Sequence, residues 1–425
     1  MDRRALALVV MVAAAASWAG CADEGVEPRR ETHGRYTIVW LRGTPYEMGY
    51  QHGQLLREEL AEGVGMIDKD VLLKAMFVMA RDLGYVDLAR KQSYPWVLEE
   101  CRGLLDAVGD VGWTEDHCMV LNFGDVIAEF LRHGEPEARD LAPGCSQFAA
   151  GGAATADGRL YHGRVLDWAN IAFIVKYPVI FVRQPDDGVA HAVVGFPGNL
   201  SPYQGINAEG ITVASNEVSP RDNTVNDRTG RSHVQLVGEL LTRARSLSDA
   251  RDIVAKTNHM SLELIVATDG DAGRAEVFEM APQQVAIRGL KQGVLRATNH
   301  FQGANTGPLC TAKPGSQNRL TRLQQLLDPG GSASLHGKLD PARAVAVMRD
   351  RVDPTTGTKS ATTVVDDGKS IATNGALYQL LFDPAARKLW VAAGALPVPA
   401  QPFTGFSLDA LLAGDASEGH PDPIP

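Results

Sequence analysis

The 425-residue chain carries 41 Lys and Arg against 51 Asp and Glu, a formal net charge of −10, and 44% of its residues are hydrophobic. That apolar content suffices for one large domain or two ordinary ones and excludes a disordered chain. No basic run follows the first thirty residues, which argues against a nucleic-acid partner.

Residues 1–21 read as a targeting segment. Arg3 and Arg4 precede an apolar run from Ala5 to Ala16, too short to span a bilayer, so removal on export is expected. The junction Trp18-Ala19-Gly20-Cys21 resembles a bacterial lipoprotein signal, in which the cysteine is lipidated; Trp18 replaces the usual aliphatic residue, leaving plain secretion open. Residues 22–36 are polar and charged, as expected of a flexible tether. The expected location is the bacterial periplasm or cell surface, with membrane contact only through a lipid on Cys21.

Residues 37–144 are expected to be mostly helical. Apolar residues recur at helical spacing in "YPWVLEECRGLLDAVG" (94–109) and in "TEDHCMVLNFGDVIAEFL" (114–131), which opens on a capping-type Thr114. From Cys145 to about residue 413 the pattern changes to short β-rich runs, among them "RLYHGRVLDW", "FIVKYPVIFVRQ", "ITVASNEV" and "LELIVATDG". Turn signals such as Asp186-Asp187-Gly188 separate them, predicting antiparallel meanders. Helices are expected at 233–257 and 340–351, a hairpin at 376–394 turning at Asp383-Pro384, and a loose tail over 414–425.

The five cysteines, Cys21, Cys101, Cys118, Cys145 and Cys310, have wide and irregular spacings that suit neither a disulfide scaffold nor a zinc site. Cys101 and Cys118 fall in helical patterns as core residues, with a bridge between them open. Cys145 lies at the start of a predicted hairpin. With Thr155 to Gly158 as its loop, Cys145 falls opposite Trp168 and beside Asp167. A lone cysteine in that place is either an inert small hydrophobe or a nucleophile.

"GCSQFAAGGAATADGRLYHGRVLDW" (144–168) resembles the catalytic start of the cysteine N-terminal-nucleophile (Ntn) hydrolases, especially the isopenicillin N acyltransferase-like family, with penicillin V acylases and bile-salt hydrolases as more distant kin. "GTPYEMGYQHGQLL" (43–56), "GINAEGITVASNE" (205–217), "ATNHF" (297–301) and "SQNR" (316–319) are similar to further signatures of that family, in family order. The resemblance implies an α+β fold, a four-layer αββα sandwich of two antiparallel sheets between helical layers. It implies self-cleavage between Gly144 and Cys145, leaving two chains as partners and Cys145 as nucleophile. The freed amine, titrating near ~7.7–8.0, then exchanges protons at neutral pH.

The same resemblance gives Asp167 the role of holding that amine and Arg164 that of favouring the thiolate. Asn216 and Asn299 become oxyanion donors, and Arg319, one helical turn after Ser316, an electrostatic support. Residues 164 and 167 lie on opposite faces of a regular strand, so both reach Cys145 only if the strand bulges or ends between them. The implied activity is amide hydrolysis or acyl transfer on a small N-acyl substrate without a cofactor, hydrolysis being favoured. The rivals are an uncut thiol hydrolase with His300 or His162 as base, and a non-catalytic lipoprotein that binds an acylated ligand. His52 and His162 read as structural or surface residues.

Overall fold

The computed structural model describes residues 25–124, 126, 127, 129, 144–168, 171–282, 284–361 and 370–425. The expected signal peptide, Cys21 and nearly all of the 125–142 segment lie outside these described residues. In chain order the strands are β1 (Arg29–His33), β2 (Tyr36–Gly43), β3 (Ser146–Ala150), β4 (Tyr161–Asp167), β5 (Val179–Pro185), β6 (His191–Gly195), β7 (Gln204–Asn207), β8 (Ile211–Glu217), β9 (Glu263–Asp269), β10 (Arg274–Ala281), β11 (Gln284–Gly289), β12 (Val294–Ala297), β13 (Ala376–Asp383), β14 (Lys388–Ala393) and β15 (Thr404–Ser407). They form a nine-stranded sheet ordered β1-β2-β5-β6-β7-β8-β9-β10-β11 and a six-stranded sheet ordered β12-β3-β4-β13-β14-β15.

Side-chain alternation along the strands builds the layers. Phe181 of β5 packs on His52 of the helix Pro45–Leu55, and Arg183, two residues on, pairs with Glu100 of the helix Pro95–Val108. These helices cross closely: a Cβ on Gly49 would lie 1.9 Å from the Glu100 carbonyl oxygen. The opposite face of the nine-stranded sheet meets the six-stranded one through Leu264, Val266, Ala149 and Leu295. Beyond the second sheet, Phe148, Val165 and Trp390 pack on Leu323 of the helix Pro314–Leu327 and on Val345 of the helix Pro341–Met348. The architecture is α+β with the order helix, sheet, sheet, helix. Among the described residues, no helix is long and apolar enough to cross a membrane.

Several expectations are corrected. Within the expected 22–36 tether, Arg29–His33 is not free chain, because β1 pairs with β2 at the edge of the larger sheet. The mostly helical stretch from residue 37 opens on an unexpected strand: β2 runs parallel to β5 from Thr37↔Val179 to Gly43↔Pro185, a parallel pair in otherwise antiparallel sheets. Residues Ala172–Lys176 form a helical turn, not part of a strand. The tail is docked: Phe403 bridges Ile424, and the Trp390 indole donates to the Asp422 carbonyl at 2.9 Å. The 376–394 hairpin and the helical stretches near 233–257 and 340–351 form as expected.

A disulfide joins Cys101 to Cys118, whose Cα atoms lie 6.1 Å apart, tying the helix Pro95–Val108 to the helix Glu115–Phe123. Closing so short a loop restricts the unfolded chain by about 3 kcal/mol. The Cys101→Ser/Cys118→Ser variant is expected to lose stability of that order, read as a lower urea midpoint under oxidising conditions.

Candidate active site

The β3–β4 hairpin positions the thiol, though not in the expected register. Ser146 pairs with Val165 and Gln147 with Arg164, two residues away from the register placing Cys145 opposite Trp168. The turn is longer because Gly152, at φ 58°, opens a short 3₁₀ turn, Gly152–Ala154. Thr155 then bridges to Leu339 while its hydroxyl donates to the Gly152 and Arg159 carbonyls. Consequently Gly144, and not Cys145, faces Asp167, its N–H reaching the Asp167 carbonyl at 3.2 Å. Cys145 is buried, with its sulfur 3.7 Å from that same carbonyl.

The Asp167 side chain fills a slot between two glycines. A Cβ on Gly144 would lie 2.2 Å from Asp167 Oδ2, and one on Gly375 would lie 2.1 Å from Oδ1, so neither position admits a side chain without moving the carboxylate. Thr373 donates its hydroxyl to Oδ2. The irregularity near Asp167 lies in the neighbouring strand: β13 carries one extra residue, Leu377, between the partners of Leu166 and Asp167, while β4, on which Arg164 and Asp167 lie, runs unbroken from Tyr161 to Asp167.

Arg319 rises from the helix Pro314–Leu327 and donates Nη1 to the Cys145 carbonyl and to Ser146 Oγ at 3.0 Å. Its Nη2 donates to Asn299 Oδ1 at 2.8 Å, which turns the Asn299 amide so that Nδ2 meets the Glu217 carbonyl, also at 2.8 Å. Burial lowers the Arg319 pKa, opposed by the nearby Asp167 and Cys145. Ser316 Oγ accepts from the Asn299 N–H at 2.8 Å and lies 2.7 Å from His300 Nδ1.

A second network fixes Asn216. A guanidinium only donates, so the 2.6 Å bond from Arg164 Nη1 identifies the acceptor as Asn216 Oδ1. Gln147 Nε2 donates to the same oxygen at 2.8 Å, which turns Gln147 Oε1 toward His162 Nε2 at 2.9 Å. His162 is therefore the Nε2–H tautomer, and Nδ1 accepts from Thr212 Oγ1 at 2.7 Å. Asn216 Nδ2 is left to donate to the Thr298 carbonyl at 2.9 Å. Nε and Nη2 of Arg164 are buried and have no hydrogen-bond partner among the described residues.

All six residues expected to do chemistry thus converge where β3, β4, β8 and the end of β12 meet. Gln147, Thr373 and Gly375 complete the site and were not foreseen. Gln147 was findable, because it shares a strand face with Cys145 two residues away; Thr373 and Gly375 carry no local signal. His162 is engaged at both nitrogens and is not free to act as a base for the thiol, while His300 is bonded through Nδ1 to Ser316. Among the described residues, no group of three His, Cys, Asp or Glu side chains could hold a metal ion.

Burial, with help from Arg164, pushes the His162 pKa from 6.5 down to about 3. Below pH 6.5 the unfolded chain takes up a proton that the native state refuses, so this contribution is complete above 6.5 and is lost as pH falls toward about 3. Urea midpoints measured stepwise from pH 7 to pH 4 are expected to fall, and His162→Gln is expected to make that fall shallower.

Comparison with known proteins gives three findings. Residues 156–396 match the family model "Acyl-coenzyme A:6-aminopenicillanic acid acyl-transferase", a span that opens after Cys145. An uncharacterized protein of Archaeoglobus fulgidus is 29% identical over 278 residues, covering 60% of this chain and 45% of its own length; this chain thus spans less than half of that relative. Among solved structures, the chain is similar to a Caenorhabditis elegans ortholog of N-acylethanolamine-hydrolyzing acid amidase, at 18% identity, TM-score 0.40, and coverage of 57% of this chain and 93% of that one. It is also similar to penicillin V acylase from Agrobacterium tumefaciens, at 14% identity and TM-score 0.38, covering 60% and 84%. A mutant conjugated bile acid hydrolase from Clostridium perfringens matches at 12% identity and TM-score 0.41, covering 62% and 92%.

Proposed function

The chain belongs to the acyl-coenzyme A:6-aminopenicillanic acid acyl-transferase family, and from that premise we propose that it is a self-activating enzyme that cleaves or exchanges a non-peptide amide through Cys145. The observation that carries the reading is the Asp167 carboxylate packed against the Cα of Gly144, beside the bond that would be cut. In the first step the Cys145 sulfur attacks the Gly144 carbonyl carbon, and the acyl group moves from nitrogen to sulfur. Water then hydrolyses the thioester, leaving a Gly144 carboxylate and a free Cys145 amine. That amine stands beside Asp167, which orients it by a charge-assisted hydrogen bond.

In turnover the amine takes the thiol proton as sulfur attacks the substrate carbonyl, then delivers it to the departing amine. Water, favoured over a second amine as acceptor, hydrolyses the acyl-thiol and restores the sulfhydryl. The unpartnered donors of Arg164, and the second N–H of the Asn216 and Asn299 amides that already donate to the Thr298 and Glu217 carbonyls, would stabilise the oxygen on which negative charge develops. Arg319 holds the Cys145 carbonyl and Asn299 in register. The substrate is a small N-acyl compound, and no cofactor is required by these steps. Export, with Cys21 as a lipid anchor or with plain secretion, is supported by the Cys101–Cys118 disulfide, which suits an oxidising compartment.

Purified mature protein is expected to give a fragment whose first residue is Cys145 on N-terminal sequencing, and Cys145→Ala to remain one uncut chain. A processed wild type that a thiol-reactive amide or lactone mimic never labels at Cys145 would instead favour the ligand-binding rival. Against a panel of N-acyl substrates scored by released amine, Asn299→Ala is expected to retain processing and lose kcat by about 10²–10³-fold, whereas Asp167→Asn should impair both steps.

A further inference from the structure

The two oxygens of the Asp167 carboxylate face different neighbours. Oδ1 stands against Gly375, whereas Oδ2 stands against Gly144, where a Cβ would lie 2.2 Å from it. Thr373, fully buried in the segment just before β13, donates its hydroxyl to Oδ2. That segment is seated on the end of β4, because the Trp168 N–H donates to the Gly375 carbonyl at 2.9 Å. A carboxylate oxygen accepts along two lone pairs, so Thr373 leaves Oδ2 one more acceptor position beside the Gly144–Cys145 bond.

The bond from Thr373 acts on charge as well as direction. On the self-cleavage reading, from which this inference proceeds, the Cys145 amine arrives beside Oδ2 and must be neutral to take the thiol proton. A free α-amine titrates near ~7.7–8.0, and a bare carboxylate beside it favours the ammonium and moves that titration upward. A hydroxyl that donates to the carboxylate shares its negative charge and weakens that pull. Among the described residues, the other charged or titratable groups of this place are Arg164 on β4, Arg319 from the helix Pro314–Leu327 and the Cys145 thiol; both guanidiniums oppose an ammonium. We infer that Thr373 is a positioning residue for the catalytic base, holding Asp167 Oδ2 so that it orients the Cys145 amine without keeping it protonated.

The test titrates that amine directly in the full chain after self-cleavage. With the Cys145 thiol capped as a methyl disulfide, trace acetic anhydride acetylates only the neutral amine, and mass spectrometry of the fragment beginning at Cys145 gives the midpoint against pH. Thr373→Val, which keeps the shape and loses the donor, is expected to raise that midpoint by about one pH unit. Thr373→Ser, which keeps the donor, is expected to leave it at the wild-type value. For any N-acyl substrate turned over, the acid limb of kcat/KM should move by the same step, a shift that a merely structural loss would not produce. Should Thr373→Val fail to fold, Thr373→Ala loses the same donor with less bulk and should raise the midpoint likewise. A wild type that is never cut overturns the self-cleavage reading and this inference with it. With a cut wild type, this inference alone is overturned by any of four results: an unmoved midpoint in the folded variants, a Thr373→Ser midpoint that rises as far as that of Thr373→Val, an amine that is never acetylated, or failure of both Thr373→Val and Thr373→Ala to fold or be cut.

Discussion

A carboxylate buried between two glycine backbones is the constraint on which the rest of the site depends. Asp167 is 7% exposed, and an ion so placed demands hydrogen bonds and a compensating charge. Thr373 supplies one donor. The shape of the slot explains local features that otherwise look unrelated. The two-residue shift of the β3–β4 register brings Gly144 opposite Asp167; the extra residue in β13 lets that strand follow the end of β4; and glycine at 144 and 375 leaves room for the oxygens. A freed amine at residue 145 would arrive where the carboxylate already waits.

Among the described residues, two guanidiniums stand near that one carboxylate. Arg164 and Arg319 are both fully or almost fully buried, and both lie close enough for Arg164 to act on Arg319 electrostatically, against one Asp167. An excess of buried positive charge opposes a second cation and welcomes a developing anion, which is what a tetrahedral intermediate provides. The same guanidiniums set direction. Because arginine cannot accept, Arg164 fixes Asn216, Asn216 fixes Gln147, and Gln147 fixes the tautomer of His162. His162 therefore acts at a distance, as the buried end of a chain of oriented dipoles.

The ordered series of motifs made Cys145, Asp167, Arg164, Asn216, Asn299 and Arg319 legible before any coordinates, and alternation alone raised the need for a bulge near Asp167. What escaped the sequence was set by long-range contacts. "TIVWLR" (37–42) becomes an inner strand only because Val179–Pro185 lies beside it, more than a hundred residues later. The polar tail docks because backbone pairing with Phe403 and the Trp390 indole outweighs its composition. The hairpin register was missed because a glycine at positive φ and a bridge to Leu339 lengthened a turn that "TADG" alone suggested was tight.

The placement of β2 also bears on how a chain cut before Cys145 would stay whole. The segment before residue 144 is not a cap resting on a finished domain. β2 pairs along seven residues with β5, Tyr36 donates its hydroxyl to the Val391 carbonyl, and the Trp40 indole donates to the Leu411 carbonyl, both at 2.7 Å. Tyr36, Trp40 and the disulfide-linked Cys101 and Cys118 share one hydrophobic core with Cys145, Phe181 and Tyr378. Scission of the Gly144–Cys145 bond would remove one covalent link while leaving this core and the ladder in place, so the new terminus gains local freedom without loss of the surrounding wall. A helical segment attached only by loops would instead be free to depart, and with it the helices that cover the nine-stranded sheet.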